Sequence, residues 1–83
     1  MNYNITKGEL DMKNKNIAKA IKQRRKELKI SQADLGNRIG RSSGYIDLVE
    51  TGVTKVNSFF LKKFADALGK DVEYFKEYKN KAS

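Results

Sequence analysis

Cysteine, histidine and proline are all absent from this chain. Without cysteine there is no disulfide framework and no thiolate metal site. Without histidine the commonest metal ligand and the usual general base at neutral pH are gone. The acidic residues form no cluster with metal-ligand spacing, so no metal or other cofactor is expected. There is no glycine-rich phosphate loop and no carboxylate pair placed for acid–base work, which argues against an enzyme. Long apolar runs are missing too. The longest is Phe59–Phe60–Leu61, too short for a signal peptide or a membrane span. These absences predict a soluble, cytoplasmic protein with no membrane partner. With no proline, every helix boundary must be set by caps and glycines.

What is present is positive charge. The formal net charge of +8 comes from 18 basic and 10 acidic residues. Lys19, Lys22, Arg24, Arg25, Lys26 and Lys29 concentrate it in one segment, and Arg38, Arg41 and Lys55 add to it. Such a balance points to a polyanionic partner, nucleic acid first. A solvated basic face that keeps a small protein soluble is the competing reading. The 83 residues suffice for one small domain with a modest core.

Residues 1–15 show no apolar period and predict a flexible N-terminal arm. The domain proper is expected over 16–79, with a disordered tail at 80–83. Asn16 is a candidate cap for a first helix running to about Lys29, with Ile17, Ile21 and Leu28 on one stripe. Ser31 caps a second helix that ends at Gly40. Ser42 or Ser43 caps a third, which ends near Thr51–Gly52. Asn57 or Ser58 caps a fourth, with Phe60, Leu61, Phe64, Ala65 and Leu68 inward and Gly69 as its stop. Asp71 caps a fifth, with Val72 and Phe75 inward. The pattern gives five short helices and no strand, an all-α fold.

Two charges fall on apolar faces. Arg25 lies between Ile21 and Leu28 at helical spacing, and Glu50 follows Ile46 by one turn. A buried charge deprived of its partner costs roughly 3–5 kcal/mol. The economical arrangement is an Arg25–Glu50 pair tying the first helix to the third. The alternative is that both reach water from the stripe edge.

The stretch Gln32–Thr51, QADLGNRIGRSSGYIDLVET, reads as two short helices joined by a tight turn. Leu35 and Ile39 mark one apolar stripe, Ile46 and Val49 the other. Gly36 sits where the helices would cross, and Gly40 sits where the chain turns. That spacing suits a helix-turn-helix unit. Together with IAKAIKQRRKELKISQADLGNRIG before it and FADALGKDVEYF after it, the segment Ile17–Phe75 resembles the Cro/repressor-type helix-turn-helix domain of phage and bacterial regulators. The resemblance implies a compact five-helix DNA-binding domain. Some positions depart from the family pattern. Gly36 stands where alanine is usual, at a helix-propensity cost of about 1 kcal/mol. Arg41 replaces a small apolar residue, Gly44 a polar reader, and Val56 a common proline.

In that family geometry the third helix enters the major groove of double-stranded DNA and its first residues face base edges. The candidate readers are Arg41, Ser42, Ser43, Gly44, Asp47 and Leu48, a set poor in strong readers. Arg41 suits guanine or a phosphate equally. Gln32, Tyr45, Lys55 and Asn57 are the phosphate candidates, and Tyr45 has burial against the fourth helix as its alternative. The resemblance also implies a homodimer on a palindromic operator, with half-sites roughly 34 Å apart. Phe59, Tyr74 and Tyr78 are the candidate interface residues. The leading expectation is a transcriptional regulator, specifically a repressor, whose signal could come through a regulatory protein partner. The alternatives are an antitoxin or controller of a mobile or restriction system, and a protein-interaction module that has lost specific DNA binding.

Overall fold

The computed structural model describes residues 6–79. The described residues form five helices: α1 Lys7–Glu27, α2 Gln32–Ile39, α3 Ser43–Glu50, α4 Ser58–Leu68 and α5 Val72–Lys76. None is long and apolar enough to cross a membrane. The α2–α3 pair packs tightly together, α4 supports α2, and α1 lies across α3, α4 and α5.

The helix starts follow one rule. Ser31, Ser42, Asn57 and Asp71 each take an extended backbone, and each side-chain oxygen accepts from a backbone N–H three residues on. Each cap satisfies an orphan first-turn donor and contributes about 1 kcal/mol. Gly40 and Gly69 end α2 and α4 in left-handed geometry, which glycine adopts without a Cβ penalty. The last carbonyls of α4 have further donors. Arg24 Nε of α1 donates to Leu68 O at 2.8 Å, and Arg38 Nη1 of α2 to Ala67 O at 3.3 Å. Both place positive charge at the negative end of the α4 dipole.

The core is built where the apolar stripes meet. Ile21, Leu35, Ile46, Val49, Phe64, Leu68 and Phe75 are fully buried, with Ala20, Ile39, Leu61 and Ala65 beside them. Fully burying one large side chain of this kind contributes about 1.5–3 kcal/mol.

The structure differs from expectation at both ends of α1. The helix begins at Lys7, so Asn16 is interior and the residues expected as an arm are helical from Lys7 onward. Residues 1–5 of that arm, and the tail at 80–83, lie outside the described residues. Asparagine in a helix interior costs only a few tenths of a kcal/mol more than its neighbours, roughly 0.5, too little to stop a helix already running. At the other end α1 stops at Glu27, because Lys29 takes a left-handed backbone with φ 58°. Leu28 therefore leaves the apolar stripe and is 37% exposed. Ile30 turns back instead, and its carbonyl accepts from Arg25 Nη1 at 2.9 Å. Phe60 and Val72, expected inward, are half-buried at the core's edge.

Candidate nucleic-acid interface

The turn between α2 and α3 is pinned from below. Arg41 N donates to Gly36 O at 2.8 Å, drawing the turn onto the side of α2. A Cβ placed on Gly36 would stand 2.5 Å from Arg41 O and 3.1 Å from Ser42 C. The glycine is therefore what lets the turn approach so closely. Gly40 supplies the left-handed step, and Ser42 caps α3.

A buried charged cluster then fixes how α3 sits. Glu50 is buried, and its two carboxylate oxygens accept from Arg25: Nε to Oε2 at 2.6 Å and Nη2 to Oε1 at 3.0 Å. A bidentate, charge-assisted pair of this kind is short and directional. The bond to Glu50 raises the Arg25 pKa above the ordinary guanidinium value, more than burial lowers it. Gln32 Nε2 adds a third donor, 3.1 Å from Glu50 Oε1, and also reaches Asp47 Oδ1 at 3.4 Å. One carboxylate thus ties α1, α2 and α3 together.

With Ile46, Val49 and Glu50 inward, α3 presents the rest of its surface outward. Asp47 occupies the flank toward α2, where Gln32 meets it. Tyr45 occupies the flank toward α4, 5.7 Å from the Phe60 ring and 6.4 Å from the Phe64 ring. Burial there raises the Tyr45 pKa, and Arg41 opposes that shift. Ser43, Gly44 and Leu48 are exposed, Leu48 at 43%. The outer face therefore carries an apolar side chain, a hydroxyl and a bare glycine. Thr51 closes the helix, its hydroxyl donating to Asp47 O at 2.9 Å.

The sequence-derived candidates are placed as follows. Arg41, Ser42, Ser43, Gly44, Asp47 and Leu48 all surround the exposed side of α3. The Ser42 oxygen already accepts from Tyr45 N, which leaves its hydroxyl hydrogen as the free group. Lys55 is exposed in the loop before α4. Asn57 uses its side-chain oxygen to cap α4, accepting from Phe60 N at 2.8 Å, and its amide nitrogen remains free. Gln32 is half-buried and its amide nitrogen faces α3. The dimer candidates are not brought into one patch. Phe59 packs edge-on against Phe60 in the first turn of α4 and is 65% exposed. Tyr74 lies beside Phe75 and Tyr78 and feels Glu27 and Arg24, and Arg24 holds the opposite end of α4.

Sequence reasoning missed two features. One is the Gln32 bond to Glu50, for which periodicity carries no signal. The other is the seat of Arg41, whose guanidinium carbon stands 4.1 Å from the centre of the Tyr45 ring and 5.1 Å from that of Phe60. The spacing of Arg41 and Tyr45 hints at that contact, but Arg41 lies before the helix starts.

A pinned turn between two short helices, with the second helix bared on one side, defines a helix-turn-helix domain, a DNA-binding class. The sequence profile of the helix-turn-helix family matches residues 21–75, and the chain belongs to that family. Among solved structures it is similar to the P22 c2 repressor protein, crystallised in complex with synthetic operator 9T in the presence of Tl+. That match has 36% identity and a TM-score of 0.67, over 71% of this chain and 89% of that one. It also superposes on hydroxypropylphosphonic acid epoxidase from S. wedmorenis with a TM-score of 0.71 at 22% identity, over 76% of this chain. This chain spans only 34% of that enzyme's length, and the likeness is one of fold alone. No curated protein is significantly similar in sequence. Family and repressor likeness together make this a binding domain rather than an enzyme. No group of three or more potential metal ligands occurs among the described residues.

Proposed function

We propose that the protein is a transcriptional repressor that binds a palindromic operator as a homodimer, with α3 in the major groove. The observation that carries this reading is the division of α3. Its inner side is fixed by Ile46, Val49 and the Arg25–Glu50–Gln32 cluster, while Gly44 and Leu48 face outward and Asp47 stands exposed on the flank toward α2. Rigid placement of an otherwise free helix face is what base readout needs. The likeness to an operator-bound repressor supports the same role. Arg41 and Lys55 bring positive charge to its edges for phosphates, and Asn57 offers its free amide. Phe59 is the exposed aromatic that best suits an isologous contact.

Selection of bound duplexes from a random pool, followed by a salt titration, tests this. The expected result is a two-fold-symmetric motif with half-sites about one helical turn apart, and affinity that falls steeply with salt. Sedimentation of Phe59→Lys against the parent tests the dimer; an unchanged dimer constant removes Phe59 from the interface. A second reading, a protein-interaction module, draws on the outer face of α3, where Asp47 repels phosphate and Leu48 is apolar. Salt-insensitive or absent DNA binding would favour it.

A further inference from the structure

The sequence leaves Arg41 equally suited to a guanine edge or to a phosphate, and the structure separates these roles. Its guanidinium rests over the corner formed by the Tyr45 and Phe60 rings, which stand 5.7 Å apart at 51°. Tyr45 lies on the α4 flank of α3, so the arginine is drawn away from the outer face that carries Gly44 and Leu48. Among the described residues its guanidinium has no ion-pair or hydrogen-bonded partner. A guanidinium held against ring faces spends no hydrogen bond on them, so its N–H groups stay available. At the flank of a groove-bound helix, the group within reach is the DNA backbone.

We propose that Arg41 is a phosphate clamp on the α4 flank of α3, and that Tyr45 and Phe60 are its positioning residues. The proposal rests on the DNA-binding reading above and assigns Arg41 its role within it. An arginine seated on rings loses little freedom on binding, so it grips the backbone at a fixed place without reading a base. Operator preference must then come from the outer face of α3 and from DNA shape.

The test uses the full chain with two duplexes: one recovered by selection and a mixed-sequence duplex of equal length. Fluorescence anisotropy is followed over a salt series. Arg41→Ala should weaken binding to both duplexes by the same factor, roughly tenfold, and lower the log–log salt slope by about 0.9. The base preference measured across the selected site should not change. Phe60→Leu, nearly volume-conserving, should weaken both duplexes a few-fold in the parent and not at all in the Arg41→Ala background. Circular dichroism melts confirm that both variants are folded. Relaxed preference at one base pair with an unchanged slope would make Arg41 a base reader and overturn the proposal. Unchanged affinity in Arg41→Ala, or equal Phe60→Leu effects in both backgrounds, overturns it as well. If the parent itself binds neither duplex in a salt-dependent way, it is the DNA reading that fails, and the clamp fails with it.

Discussion

Replacing Gly36 by alanine should destabilise the protein, although helix propensity alone predicts the opposite. In an exposed helix interior the change gains about 1 kcal/mol. Here the new Cβ would stand 2.5 Å from Arg41 O, 3.1 Å from Ser42 C and 3.2 Å from Ser42 O. All of these are backbone atoms of the turn, so no side chain can swing aside. Relief requires the turn to lift off α2, stretching the 2.8 Å bond from Arg41 N to Gly36 O. Overpacking of this kind costs about 1–3 kcal/mol, and the lost bond about 1 more. The net loss is about 1–3 kcal/mol, or roughly 4–24 °C in melting temperature for a domain of this size. Urea denaturation with an unchanged slope measures it. Gly44→Ala is the matched control. Its Cβ would meet only the Ser42 hydroxyl at 3.7 Å, and the same propensity gain, up to about 1 kcal/mol, should appear unopposed. The reasoning is refuted if Gly36→Ala is as stable as the parent.

Glu50→Ala should cost about 3–5 kcal/mol in denaturant unfolding, because it strands the Arg25 guanidinium at a buried site. Tyr45 and Tyr74 should ionise above the ordinary phenol value near pH 10 in ultraviolet titration, since burial raises both. The sign follows from linkage. A raised folded-state pKa means stability that is complete below the unfolded value and is lost as pH climbs through the folded value. Alkaline unfolding should therefore sharpen above about pH 10, and Tyr45→Phe should remove part of that dependence. Lys29→Gly should stabilise by about 0.5–1 kcal/mol in a thermal melt, because it relieves a left-handed residue at some cost in chain entropy. A lower melting temperature would show that the Lys29 side chain does more than its backbone suggests.

Local chemistry made much of the fold legible. Ser31, Gly40, Asn57, Gly69 and Asp71 announce their helix ends because a cap acts through atoms within three residues of itself. The Arg25–Glu50 contact was legible for a different reason. A charge on an apolar stripe demands a partner, and the chain offers one at matching depth. The start of α1 was not legible, since a helix continues through any residue that fails to stop it, and Asn16 only resembles a cap. Lys29 was not legible either. Its left-handed turn is a Schellman cap, with Lys29 N donating to Lys26 O at 3.0 Å and Ile30 N to Arg25 O at 3.3 Å, and no glycine or asparagine stands there to mark it in the sequence. At the site, the side-chain partners of Gln32 and Arg41 come from α3 and α4 and depend on the finished packing, so the sequence does not show them.

The Glu50 cluster places a buried carboxylate in the last turn of α3, the end of a helix dipole that disfavours negative charge. Three donors offset that cost: two from Arg25 and one from Gln32. A tightly packed apolar group at this place would often be as stable or more so. Apolar contacts are non-directional, however, and would let α3 roll about its own axis. Donors aimed at fixed lone pairs, from α1 on one side and α2 on the other, hold a single rotation. That rotation keeps Gly44 and Leu48 outward, where a roll one way would present Tyr45 and a roll the other way Asp47. The charge buried at the end of α3 thereby sets which side chains its free face presents.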